Sequence, residues 1–135
     1  MDPHPFATMS LPHEPNVLAP DGSQVRILLR LAGGSMAHFR LDPGQTSIPV
    51  AHRTVEELWF VISGRGEIWR RQADREEVAH LEAGSCISIP LGAAFQFRCT
   101  GSLPFEAVAV TMPPWPGEDE AYAVDGPWQP RVDAL

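Results

Sequence analysis

Val50 to Trp69 reads VAHRTVEELWFVISGRGEIW, and most of what the chain says about its architecture is concentrated there. Leu58 to Ile62 are five consecutive apolar residues. Successive side chains of a strand point to opposite faces, so this segment asks to be buried on both sides. The SGRG turn signal closes it, and EIWRR begins the next short run. Working outward, the same rhythm recurs. QVRILLRL precedes AGGS, MAHFRL precedes DPG, EIWRR precedes QADRE, CISI precedes PLG, FQFRC precedes TGS, and FEAVAVTM runs into a Pro-rich tail. No segment carries a helical period, and strands separated by regular turn signals predict an antiparallel sandwich or barrel.

The chain has 135 residues, 44% of them apolar and 20% charged, which is enough for one core and too little for two. A formal charge of -7 leaves no basic stripe for phosphate backbones or anionic lipid, so nucleic acid and membrane are excluded as expected partners. No apolar run approaches the ~20 residues of a membrane span. MDPHPFATMSLPHEP has neither the basic start nor the apolar stretch of a signal peptide, which makes a cytoplasmic location the expectation. Prolines crowd both ends and divide the chain into an extended arm over 1–20, a barrel over 21–112 and a Pro/Trp-rich strap over 113–135. Trp115 and Trp128 make that strap amphipathic, able to close the barrel mouth or dock on a partner. GEDE within it reads as a solvated turn. The doubly apolar strand needs a cover on its outer face, and a second subunit is the preferred one, hence a homodimer. Cys86 and Cys99 read as two buried thiols; they fall opposite one another if the segments around PLGAAF form a hairpin.

Gly44, His52, Glu57 and Gly64 together resemble the first motif of the cupin superfamily: Gly, five residues, His-x-His, three or four residues, Glu, six residues, Gly. GSCISIPLGAAF resembles the second, with Gly84, Pro90 and Gly92 in place and Phe95 where a His usually stands. The resemblance implies an all-β fold, a single antiparallel double-stranded β-helix (jelly-roll barrel) flanked here by Pro-rich N- and C-terminal arms. It also implies a family range from metal-dependent dioxygenases and isomerases to non-enzymatic binding proteins, so the fold leaves function open.

In the family, two His and the Glu of the first motif and the His of the second gather around one divalent metal. Here His52 and Glu57 stand at two of those positions, but Val50 and Phe95 stand at the others and offer no lone pair. A tightly held metal normally needs three protein ligands, so a divalent metal is disfavoured as a cofactor. His38 is the candidate to complete the shell; Gln96 is not, because a neighbour of an inward residue points outward. His80 reads as part of a solvated strand. An imidazole beside a carboxylate is expected to favour the charged form of each, an arrangement suited to acid–base work or to anchoring a polar group. If Glu57 points inward so does Trp59, and if Phe95 does so does Phe97. Val50, His52, Glu57, Trp59, Phe95 and Phe97 then line an apolar pocket for a small organic molecule of aromatic or terpenoid size. Three functions fit: a small-molecule-binding cupin, a cupin enzyme (an isomerase or cyclase by acid–base chemistry, or a metal-dependent dioxygenase or isomerase), and a structural barrel whose site has decayed.

Overall fold

The structure, a computed structural model, describes residues 4–132. Its strands are β1 (Val17–Leu18), β2 (Gln24–Leu31), β3 (Gly34–Leu41), β4 (Val50–His52), β5 (Glu56–Ser63), β6 (Arg65–Gln72), β7 (Arg75–Glu82), β8 (Cys86–Ile89), β9 (Ala94–Cys99), β10 (Phe105–Met112) and β11 (Ala121–Ala123). A single 3-10 turn, Glu118–Glu120, precedes β11, and the described residues contain no α-helix. All pairings are antiparallel, in one sheet ordered β1-β2-β3-β10-β5-β8 and another ordered β11-β4-β9-β6-β7. The architecture is the expected all-β jelly roll. Both flanks contribute to it, β1 by pairing with β2 and β11 by pairing with β4.

Alternation decides what reaches the core. Along β10, Phe105, Ala107, Ala109 and Thr111 are buried while their neighbours are half-buried; along β5, Glu57, Trp59 and Val61 are buried. Aromatic rings fill the space between the sheets, with Trp59 and Phe97 edge to face at 4.9 Å between centroids and Phe97 tilted against Phe105 at 5.9 Å. Gly64, the last residue of the first motif, is required by the backbone: it sits at φ 81, and a Cβ there would come within 2.3 Å of the Pro104 carbonyl oxygen. β7, at the edge of its sheet, is mostly exposed and carries His80 in solvent as expected.

Two expectations fail for topological reasons. The PLG turn is a crossover between sheets and not a hairpin: β8 pairs with β5, whereas β9 pairs with β4 and β6. Cys86 and Cys99 are therefore in different sheets, both free, and only Cys99 is buried. Gln96 does point away from the barrel interior, yet it is fully buried beneath the C-terminal segment. Its Nε2 donates to the carbonyls of Ser47 and Trp128, both at 2.8 Å, and its Oε1 accepts from the Trp128 N–H at 3.1 Å. The Arg98 guanidinium stacks over the Trp128 ring at 4.0 Å, completing the clasp.

The outer face of β5 has no such cover. Leu58, Phe60 and Ile62 are 53%, 50% and 42% exposed, and among the described residues neither flank shields them.

Candidate functional site

A cavity of about 330 Å³ opens between the two sheets. Val50 and His52 enter it from β4, Phe95 enters from β9, and Glu57 and Trp59 face them from β5 in the opposite sheet. Val50 and Phe95 are cross-strand partners and so share a face by register, and His52 follows two residues after Val50 on that face. Ile27, Leu29 and Met36 line the cavity and are exposed, and Trp115 of the C-terminal segment adds a further wall. Five of the six expected lining residues are thus brought together. Phe97 is the exception: one pleat repeat beyond Phe95, its ring packs between Trp59 and Phe105 and fills core volume.

At the centre His52 Nδ1 lies 3.5 Å from Glu57 Oε1, with both side chains buried. The His52 ring is held edge-on to Phe95, at 5.3 Å, and to Trp115, at 5.2 Å. Three buried polar atoms in this region have no hydrogen-bond partner: His52 Nδ1, Glu57 Oε2 and Trp59 Nε1.

The electrostatics reverse the expectation of a charged pair. Burial pushes the His52 imidazole down to about 4, against an opposing pull from the Glu120 carboxylate. Burial also pushes the Glu57 carboxyl up to about 8, and the nearby charge of Asp21 adds to the rise. Mutual attraction at 3.5 Å is too weak to repay the removal of both groups from water, so at neutral pH His52 is unprotonated and Glu57 holds its proton.

Two acidic residues at this site were not legible as such in the sequence. Glu120, inside the GEDE run read as a solvated turn, is buried and accepts from the backbone N–H groups of Thr54 and Val55, at 2.6 and 3.0 Å, and from the Thr54 hydroxyl. Burial alone raises its pKa, but these donors outweigh it and hold the carboxylate below its ordinary value. Asp21 also lines the cavity; its Oδ1 accepts from the Ser23 N–H and hydroxyl, at 2.9 and 2.7 Å. No motif spacing links either residue to His52 or Glu57, and Glu120 meets Thr54 across 66 positions.

His38 cannot complete a metal shell. Register pairs it with Val108, which pairs with Phe60, so it lies on the outer face of the sheet, opposite to Glu57 and Trp59. There its Nε2 is 3.0 Å from Glu106 Oε1. Among the described residues no group of three or more His, Cys, Asp or Glu side chains is placed to hold a metal ion. His52 and Glu57 alone, walled by Val50 and Phe95, do not fit the divalent metal of the family.

The fold finds its relatives among known proteins. Residues 37–111, more than half of the chain, match the family model described as "Cupin domain". The chain belongs to the cupin family. It is 35% identical over 80 residues to the xanthan biosynthesis protein XanB of Xanthomonas campestris pv. campestris, a match over 59% of this chain but only 16% of that protein. Among solved structures it resembles oxalate decarboxylase from Bacillus subtilis, with a TM-score of 0.69 and 16% identity over 83% of this chain and 30% of the other. It also resembles the capsular polysaccharide assembling protein CapF from Staphylococcus aureus, with a TM-score of 0.65 and 18% identity over 78% of this chain and 33% of the other. At such identities the structural likeness is one of fold. No helix among the described residues is long and apolar enough to cross a membrane.

The displaced ionisations make stability depend on pH with a definite sign. Between 4.5 and about 8 the folded chain keeps a Glu57 proton that the unfolded chain has released, so this group's contribution to stability falls as pH rises. His52 acts oppositely between about 4 and 6.5, where the unfolded chain holds the proton. From 6.5 to about 8 the Glu57 trend is therefore unopposed by its neighbour, with a slope of up to ~1.4 kcal/mol per pH unit. Denaturant unfolding across that interval should show Glu57→Gln gaining on the wild type as pH rises. A difference between the two that stays constant with pH would contradict the assignment.

Proposed function

We propose that the protein is a small-molecule-binding cupin that works without a tightly held metal and takes an organic ligand into the cavity between its sheets. Val50, Phe95 and Trp115 provide apolar walls, and His52, Glu57 and Trp59 provide the polar anchor. The observation that supports this most is the trio of buried, unpartnered polar atoms in an otherwise largely apolar cavity. Leaving such atoms unpaired is costly, and a ligand that pairs with them recovers that cost. A cavity of about 330 Å³ is at the small end for organic ligands and implies a compact body. Kinship to a xanthan biosynthesis protein brings a saccharide to mind. The apolar walls weigh against one, because each sugar hydroxyl would need a partner.

One observation favours a second reading, an isomerase or cyclase. A protonated carboxyl and an unprotonated imidazole 3.5 Å apart are a ready acid and base. Fragment screening by NMR separates these readings. Compact aromatic or terpenoid fragments should shift the Trp59 indole N–H resonance at millimolar concentration and lose that effect in Glu57→Leu. Deuterium incorporation into a bound fragment would favour catalysis. The absence of any fragment acting on Trp59 would refute both readings and leave a structural barrel.

We further propose that the chain is a homodimer in the cytoplasm. The exposed stripe of Leu58, Phe60 and Ile62 supports the first part, since a contiguous apolar face on one strand is an association surface. The exposed free thiol of Cys86 suits a reducing compartment. Light scattering at micromolar concentration should give a dimer mass for the wild type and a monomer mass for Phe60→Arg. A monomeric wild type would overturn the dimer.

A further inference from the structure

Resting on the small-molecule reading, we propose that the ligand is an organic cation, an amine or quaternary ammonium on a compact apolar body, held between the Glu57 carboxyl and the rings of Trp59, Phe95 and Trp115.

Asp21 and Glu57 are buried in the cavity wall, Glu118 lines it from an exposed position, and Glu120 lies close enough to act on His52. Arg30 is the one Lys or Arg among the lining side chains, and it too is exposed. Inside the cavity no cation answers Glu57, and its Oε2 makes no close hydrogen bond. A buried carboxyl facing an open cavity without a counter-charge keeps its proton, and an ammonium entering the cavity supplies the charge that lets it ionise. Trp59 stands two residues along the same face, and its indole N–H already acts on the Glu57 carboxyl, favouring the charged form, so an ionised Glu57 accepts from it while facing the cation.

The aromatic walls point the same way. Trp59 and Phe95 are 5.9 Å apart with their planes at 88°, and Trp115 stands beyond His52, its ring 5.2 Å from the imidazole. Trp59 and Phe95 pack edge to face, and with Trp115 all three rings line the cavity, so a charge held there lies beside more than one π-system. That arrangement is how aromatic cages recognise ammonium groups. An anionic ligand would meet two buried carboxyls and no buried cation, since His52 is unprotonated at neutral pH. The net charge of -7 favours approach of cations as well.

Three probes sharing one body test the proposal: 2-phenylethylammonium, 2-phenylethanol and phenylacetate, each titrated calorimetrically into the full chain. The ammonium should bind about tenfold or more tightly than the alcohol, and phenylacetate should be the weakest. Benzyltrimethylammonium, which cannot donate a hydrogen bond, should also bind. Glu57→Gln, which keeps the shape of the side chain, should shrink the preference of ammonium over alcohol to within a few-fold. If the alcohol or phenylacetate binds as tightly as the ammonium, the cation proposal falls while the small-molecule reading stands. If a preference for ammonium survives intact in Glu57→Gln, the assignment to this carboxyl is overturned. If none of the four binds at millimolar concentration, the proposal and the small-molecule reading fail together.

Discussion

The organising constraint of this protein is that two ionisable side chains, His52 and Glu57, are held out of water without hydrogen bonds that would settle them. Protein interiors rarely tolerate this, and the usual remedies are a partner or a metal. Here the surrounding packing enforces it. The pleat of β5 that buries Trp59 and Val61 necessarily turns Glu57 inward, and the pairing of β4 with β9 turns His52 toward it. Neither side chain can be moved to solvent without a register slip that would expose the core. The groups respond by losing their charge, so an ion pair expected on simple electrostatic grounds becomes a neutral acid beside a neutral base.

Register also explains how the two positions without a metal-ligating side chain come together. Val50 and Phe95, the two positions lacking ligands, are direct cross-strand partners. They form a single apolar patch on one wall, beside His52 of β4 and facing Glu57, whose carboxyl reaches to 3.5 Å from the imidazole. That wall suits an organic occupant better than an ion, because the ring of Phe95 and the methyls of Val50 offer contact area and no lone pairs.

What the sequence revealed follows from what is local. QVRILLRL, CISI and FEAVAVTM are strands to the residue, because alternation and flanking turn residues act over a few positions. The strand faces of Glu57, Trp59 and Phe95 were legible for the same reason. Pairings made at long range were not. β4 and β11 are three residues each and exist because each completes the other's hydrogen bonding across about seventy positions. PLG announces a turn without saying whether the chain returns to the same sheet or crosses to the other. The outward placement of His38 and the burial of Glu120 depend in the same way on neighbours distant in sequence.

The most direct test of this account is the ionisation of Glu57 itself. A carbon-13 NMR titration of the side-chain carboxyl carbon, in protein purified without added metal or ligand, should give a midpoint near 8, far above the ordinary value of 4.5. A midpoint at or below 4.5 would mean that the carboxylate is already charged and satisfied, by solvent or by a bound cation such as a metal, and would contradict the picture of an unpaired anchor awaiting an organic ligand.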